Sequence, residues 1–351
     1  MNNMKENMFM DRKTIKIGKL FLGNNHPVRI QSMTNTKTTD VDATLRQIFM
    51  LSQAGCDLIR VSVPDKASLI QFKEIVSLSG DIPIIADIHF DEQMALGAIK
   101  AGAAKIRLNP SNMPKKALAN IIAAAKEKGT IIRIGVNRGS FNKKMSVEDL
   151  ISFTKENIKV LEKENFYNIV VSIKTSDIKS TIEANRLLYK EMPYPIHIGL
   201  TEAGYGDFAE IKSSIAIGSL LSDNIGDTIR VSLTGNPINE VHLAKNILRA
   251  TGKNLEFVDI ISCPTCARTE IDIVNIVKEM KEYVADIKKP LKIAIMGCIV
   301  NGIGESGDAD FGICAGKNNS LLFISGKPYK YIDNNSIVKE LKHLVQKFTQ
   351  D

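Results

Sequence analysis

The chain reads as an α/β protein, a (β/α)8 TIM barrel followed by a small α+β domain. Three observations predict this. Between about residues 28 and 233, short β-branched or apolar runs alternate with stretches of helical apolar spacing. There are eight such runs, nearly continuously apolar, as expected of a parallel sheet covered by helices. After about residue 250 the alternation ends, and four of the five cysteines lie beyond that point. A length of 351 residues suits two domains. The expected division is 1–250 for the barrel and 251–351 for the second domain, with a boundary near "RATGKN" (249–254).

Taken in order, "TIKIGKLFLGNNHPVRI" predicts a hairpin turning at Gly23-Asn24-Asn25 and plugging the N-terminal mouth of the barrel. The predicted strands are 28–33, 58–63, 82–88, 104–109, 131–137, 169–176, 195–201 and 228–234. Segments such as "KKALANIIAAAKEKG" and "SVEDLISFTKENIKVLEKEN" between them have helical spacing, and Gly often closes them. An open doubly wound sheet is the competing topology, but no Gly-x-Gly-x-x-Gly turn follows the first strand. In the second domain, "LEFVDIISC" and "LKIAIMGC" read as strands around the helix "ARTEIDIVNIVKEMKEYVADI". Two short strands, "ADFGICA" and "SLLFISG", and a final amphipathic helix follow.

Composition narrows the class. With 44% hydrophobic and 24% charged residues the chain is expected to be globular. The N-terminal "MNNMKENMFMDRK" lacks a signal-peptide core, and no run approaches the roughly 18 apolar residues of a membrane span, so a soluble cytoplasmic protein is expected. Clustered cysteines in a reducing compartment point to metal or redox chemistry rather than a disulfide framework. Cys56 stands apart and reads as a small buried hydrophobe. The net charge of +7 fits nucleic acid, an acidic protein or a phosphorylated small molecule.

Placement of the cations discriminates among these. Arg60, Arg107, Arg138, Lys174 and Arg230 fall at strand ends, with Arg133 further inside its strand. Catalytic groups of such barrels sit at the C-terminal ends of the strands. A single buried cation is equally well explained by a structural pair with Asp87 or Glu202; five converging on one mouth describe a site for a multiply charged ligand such as a diphosphate. Asn109, Asn137, Ser140, Ser232 and Thr234 add hydrogen-bonding groups, and Asp87, His89, His197 and Glu202 add acid–base capacity.

Cys263 and Cys266 form a Cys-x-x-Cys, and Cys298 follows within the same small domain. A zinc site would use four cysteines in two knuckles, but Cys298 and Cys314 are not spaced as a knuckle pair. An iron–sulfur cluster needs four ligands without that geometry. Spacing leaves Cys314 and Glu305 both open as the fourth. The rival from another class is a zinc-stapled RNA-binding protein; it calls for exposed basic residues with aromatics to stack bases, whereas the chain has no Trp and 6% aromatics. A radical-SAM enzyme would need Cys-x-x-x-Cys-x-x-Cys, which is absent.

The strings "VRIQSMTNT", "KIRLNPSN", "GVNRGS", "LTEAG", "GDTIRVSLTGNP", "DIISCPTCARTEID" and "IMGCIVNGIGE" resemble those of the bacterial two-domain 4-hydroxy-3-methylbut-2-enyl diphosphate synthases of non-mevalonate isoprenoid biosynthesis, along essentially the whole chain. The chain has no room for the middle domain of plant-type members. The resemblance implies an iron–sulfur oxidoreductase that reductively opens and dehydroxylates 2-C-methyl-D-erythritol 2,4-cyclodiphosphate with two electrons from a flavodoxin or ferredoxin. It implies a 4Fe–4S cluster on Cys263, Cys266, Cys298 and Glu305, and a homodimer arranged head to tail with the active site shared between subunits. The exchangeable carboxylate would leave one iron open to substrate. On this reading Arg60, Arg107, Asn109, Arg138, Lys174 and Ser232 hold the diphosphate, and Glu202, with Asp87 or His197, handles protons. The chain departs from the family pattern at Cys314, where a small residue such as Ala is usual, and at Ile303, where Pro is usual.

Overall fold

The computed structural model describes residues 12–88, 91–108, 113–137, 145–300 and 302–350, with Asn137, Ile303 and Glu305 described by their backbone alone. The chain divides into two compact units, Met1–Lys253 and Asn254–Asp351.

The first unit opens with a hairpin, β1 (Ile15–Ile17) and β2 (Leu20–Leu22). Strand–helix repeats follow: β3 (Arg29–Met33), α1 (Val41–Gln53), β4 (Leu58–Ser62), α2 (Lys66–Leu78), β5 (Ile84–Asp87), α3 (Glu92–Lys100), β6 (Lys105–Leu108) and α4 (Lys115–Lys128). The unit continues with β7 (Ile131–Asn137), α5 (Val147–Lys163), β8 (Ile169–Lys174), α6 (Ile178–Glu191), β9 (His197–Ile198), α7 (Gly206–Ser222), β10 (Thr228–Ile229) and α8 (Pro237–Ala250). The eight strands β3–β10 pair in parallel, in the order β8-β7-β6-β5-β4-β3-β10-β9, and a bridge between Val171 and Ile196 joins the two ends. This is a near-closed TIM barrel with helices around it.

Local chemistry explains the alternation. Asp40, Asp65, Asp91 and Asp177 each cap the helix that follows by accepting a backbone N–H three residues on. Ser146 and Asp149 form a reciprocal capping box on α5. Outward strand residues such as Ile59, Val61, Ile132, Ile134, Val171 and Ile173 bury against the helices in one continuous core.

Two expectations are corrected in this unit. The hairpin turns at Gly18-Lys19, because Ile17 and Leu20 pair directly, and Gly23-Asn24-Asn25 make the next turn toward β3. It still plugs one end: Ile15, Ile17 and Leu22 pack on Leu58, Ile85, Ile131 and Val170 at the starts of their strands. The strands expected at 195–201 and 228–234 shorten to two residues each. Gly199 interrupts the first, and beyond it Thr201 donates its N–H to the Thr175 carbonyl instead.

The second unit is a five-stranded mixed sheet, order β11-β12-β13-β14-β15, comprising β11 (Val258–Ser262), β12 (Leu291–Met296), β13 (Phe311–Cys314), β14 (Asn319–Ile324) and β15 (Lys327–Asp333). Helices α9 (Ile273–Tyr283) and α11 (Ile337–Gln350) contribute Met280, Leu341 and Leu344 to its core, and α10 is a single turn, Gly302–Glu305. Strand β15 escapes sequence reading. It carries Pro328 and two lysines, and six of its seven side chains are exposed, as only an edge strand permits.

Candidate active site

Strand register places the cations. Residues paired across a parallel ladder point to the same face. Gln31 pairs with Leu58, Arg60 with Ile85, Ile85 with Lys105, Lys105 with Ile131, Arg107 with Arg133 and Arg133 with Val170. Leu58, Ile85, Ile131 and Val170 meet the hairpin plug, so this is the inward face. Above an apolar floor the barrel interior is thus cationic, with Arg60, Lys105, Arg107, Arg133 and Lys174 all inward. The apolar character of the strands belongs mainly to their outward residues.

These cations are costly to bury. Lys105 is fully buried and donates to Gln31 Oε1 at 3.0 Å. Arg133 is 3% exposed, and its Nε has no hydrogen-bond partner among the described residues. Burial, then the neighbouring cations, lowers the pKa of both well below the ordinary values. Arg60 lies with Nε 3.9 Å from Asp87 Oδ1 and its guanidinium against the Met33 sulfur. Burial and Arg230 bring its pKa down to about 10, with Asp87 opposing. Arg107 lies across Gly135, where an added Cβ would stand 3.2 Å from its Nε.

Lys174, at the end of β8, places Nζ 3.0 Å from His197 Nε2, and His197 Nδ1 is 2.8 Å from Thr228 Oγ1. His197 has no exposed surface, and both ring nitrogens are engaged. Burial, reinforced by the cations around it, lowers its pKa well below the usual imidazole range, so the ring is neutral. Gly199 makes room for the amine: a Cβ there would lie 2.9 Å from Lys174 Nζ and 2.3 Å from the Arg230 carbonyl.

At the rim, Arg230 follows β10 with Nε 3.8 Å from Glu240 Oε2. Glu240 also accepts from Ser32 Oγ and from the Leu233 N–H. Ser232 is half-buried beside this network. Glu202 is exposed on the loop after β9 in a left-handed conformation, φ 56°, unusual for a residue with a side chain. That loop is held to the one after β10 by Thr234 N–H donating to the Gly204 carbonyl. His89, Asn109, Arg138 and Ser140 lie outside the described residues.

In the second unit Cys263 and Cys298 follow the ends of the adjacent parallel strands β11 and β12. Gly297 N–H donates to Cys263 Sγ at 3.2 Å, and the two loops are tied by Glu270 N–H to the Gly297 carbonyl. Cys266 is exposed; hydrogen bonds from Arg268 lower its thiol pKa. Among the described residues, no group of three or more Cys, His, Asp or Glu is drawn together as a single ion would require. The thiols of Cys263, Cys266 and Cys298 are soft donors of the kind that zinc and iron–sulfur clusters both take. Cys314 is buried among Ala294, Met296 and Phe323, a cluster on which Cys263 also packs, and burial, then Cys298 and Cys263, pushes its thiol pKa up to about 11. It is packed against Gly302, where a Cβ would meet Cys314 Sγ at 2.1 Å.

Sequence reasoning passed over Lys105, Gln31, Thr228 and Glu240. For Lys105 the signal was present, since in "AKIRLN" it stands two residues from Arg107 and so shares its face. Charge is also unevenly divided. Residues 254–351 carry 12 Lys and Arg against 13 Asp and Glu, and the positive excess belongs to residues 1–253, with 34 against 26. Much of it is inside the barrel.

Residues 12–245 match the GcpE TIM-barrel domain, and residues 259–347 match the GcpE protein C-terminal domain. A protein of Thermotoga petrophila is 46% identical over 342 residues, covering 97% of this chain and 99% of its own length. One of Caldanaerobacter subterraneus subsp. tengcongensis is 45% identical over 347 residues, covering 97% and 98%. Both are named 4-hydroxy-3-methylbut-2-en-1-yl diphosphate synthase (flavodoxin). The barrel alone is also similar to type I 3-dehydroquinate dehydratase of Clostridium difficile, at TM-score 0.52, 14% identity and coverage of 69% of this chain and 99% of that one. Dihydropteroate synthase of Stenotrophomonas maltophilia gives TM-score 0.51 at 13% identity, covering 67% and 97%. These two likenesses concern the fold alone.

Proposed function

The chain belongs to the GcpE family of 4-hydroxy-3-methylbut-2-en-1-yl diphosphate synthases, and on that premise we propose that it reductively opens 2-C-methyl-D-erythritol 2,4-cyclodiphosphate to 4-hydroxy-3-methylbut-2-enyl diphosphate, taking two electrons from flavodoxin. The observation that carries the substrate class is the inward column of Arg60, Lys105, Arg107, Arg133 and Lys174, for which Asp87 is the inward acid nearest Arg60. A diphosphate supplies the missing negative charge and the bidentate acceptors that guanidinium groups fit. The zinc-stapled RNA-binding reading loses its basis, because these cations line a barrel rather than an open surface.

Within this reading Arg60, Arg107, Lys174 and Ser232 bind the diphosphate, joined through the family resemblance by Asn109 and Arg138. Arg133 and Arg230 extend the same positive field. Asp87 orients Arg60, and Glu202 on its strained loop is the exposed acid at the rim for proton handling. His197 stays behind Lys174. Cys263, Cys266, Cys298 and Glu305 are the proposed ligands of a 4Fe–4S cluster; when bound, the cluster supplies the two electrons and a Lewis-acidic iron. The barrel residues hold the substrate and keep its charge out of water while that happens. Because residues 254–351 are close to neutral in net charge, flavodoxin docking there draws little on the overall +7 of the chain.

Anaerobic turnover tests the reaction. The iron-loaded protein with reduced flavodoxin is expected to convert the cyclodiphosphate, and a loaded, reducible protein that leaves it unchanged would overturn the assignment. A head-to-tail homodimer with a shared active site is the proposed assembly. Mixing a Lys174→Met chain with a Cys298→Ala chain should restore turnover that neither has alone, and no complementation in an exchanging mixture would rule out shared sites.

A further inference from the structure

The Lys174–His197–Thr228 chain is a built device that substrate contact alone does not explain. Three strands contribute to it: β8 gives Lys174, β9 gives His197 and β10 gives Thr228. Its two links are 3.0 and 2.8 Å. Lys174 is 7% exposed, whereas His197 and Thr228 are fully buried. The groups facing the amine are overwhelmingly cationic. Arg60 comes from β4, Arg107 from β6, Arg133 from β7 and Arg230 from just after β10, and the deeper Lys105 of β6 bears on His197. Among the described residues, Asp87 on β5 and Glu240 on α8 are the carboxylates acting on this cluster, and both bear on Arg60.

We propose that Lys174, held in place by His197, takes up a proton from solvent as the cyclic diphosphate binds, which makes His197 a positioning residue of the anion site. The inference rests on the substrate class proposed above. In the step an N–H bond forms on the Nζ lone pair at the expense of a buffer acid, and no other bond changes. A cyclic diphosphate bears one strongly acidic oxygen on each phosphorus, so it brings charge without exchangeable protons near neutrality. The uptake therefore reports on the protein.

The geometry supports both ends of the change. Burial, followed by Arg133, Arg230, Arg60 and Arg107, lowers the Lys174 pKa well below its ordinary value. An anion among those same cations reverses their effect and favours the charged amine. Neutral His197, donating from Nδ1 to Thr228 Oγ1, leaves Nε2 as an acceptor that serves Lys174 in either state. Lys105 lies deeper, in register with Ile131 near the plug and already bonded to Gln31, and is less placed to respond.

Calorimetric titration of the oxidised, iron-loaded protein with the cyclodiphosphate, without reductant and in buffers of different ionisation enthalpy, counts the protons. About one proton per site is expected in the pH window between the free and bound pKa values of Lys174, with affinity falling about tenfold per pH unit there. Lys174→Met should abolish the uptake and weaken binding about ten- to hundredfold. Lys105→Met should leave the uptake intact. His197→Gln, which retains an acceptor, should preserve more of the uptake than His197→Leu. Binding with no buffer dependence, or uptake that survives in Lys174→Met, would overturn the inference while leaving the proposed function standing. A protein that binds no cyclodiphosphate in any buffer would instead overturn the function and, with it, this inference.

Discussion

In the barrel, Arg133 is 3% exposed and Lys105 not at all, and each has a ladder partner that fixes where it points. In the second unit, Cys266 is exposed and Cys263 and Cys298 are half-buried on loops that leave their strands. Register builds the first region into the sheet, so its side chains point into the barrel before anything binds. The second is a set of soft donors at one end of a sheet, tied by the Glu270 N–H to the Gly297 carbonyl and by the Gly297 N–H to Cys263 Sγ. A site on strands carries a cost in stability for its preorganisation; a site on loops, such as the proposed cluster site, would be finished by its cofactor.

The contrast breaks most visibly at the cysteines. Cys263→Ala or Cys298→Ala should lower iron content and cut turnover by about a hundredfold or more, since structural metal ligation accounts for several kcal/mol. Cys314→Ala should keep its iron, because Cys314 is almost fully buried with Ala294, Met296 and Phe323, even though the half-buried Cys263 packs on the same cluster. Equal iron loss in all three variants would make the buried thiol a ligand and erase the distinction.

The next largest effect is expected at Arg133. Arg133→Met should weaken cyclodiphosphate binding about ten- to hundredfold and yet raise the thermal midpoint by about 2–4 °C, because a desolvated guanidinium leaves the interior. Loss of both affinity and stability would mean that the cation is paid back within the fold.

Gly302→Ala should destabilise the second unit by about 1–3 kcal/mol through overpacking against Cys314, and Cys314→Ala in the same chain should recover most of that. Denaturant melts of the single and double variants check this; no recovery would place the strain elsewhere.

The smallest effect is a slope. The folded pKa of Lys105 lies below its unfolded value, so between the two the unfolded chain binds more protons and stability rises with pH by up to about 1.4 kcal/mol per pH unit. The gain stops above the unfolded value. Lys105→Met should flatten the slope over that window, and an unchanged slope would assign it to another group.

The barrel was legible in the sequence because its apolar runs and helical stretches repeat eight times, and repetition averages out local ambiguity. Strand β15 was not, since exposed Lys, Pro and Tyr residues give an edge strand no apolar pattern to read. The strand-end arginines are visible as a group and Lys105 can be read from its i, i+2 spacing to Arg107, but Glu240 is hidden within an ordinary amphipathic helix. The pairing of Lys105 with Gln31 and of Glu240 with Ser32 spans 74 and 208 residues, a separation that no local pattern reports. In the hairpin Gly-Asn-Asn is the stronger turn signal, but direct pairing of Ile17 with Leu20 sets the turn one step earlier, at Gly18-Lys19.

The most direct test is to titrate the iron-free full chain with the cyclodiphosphate. If register alone sets the cations, binding should persist within about tenfold of the iron-loaded protein. An iron-free chain that remains folded and binds no cyclodiphosphate would contradict an anion site complete within the barrel.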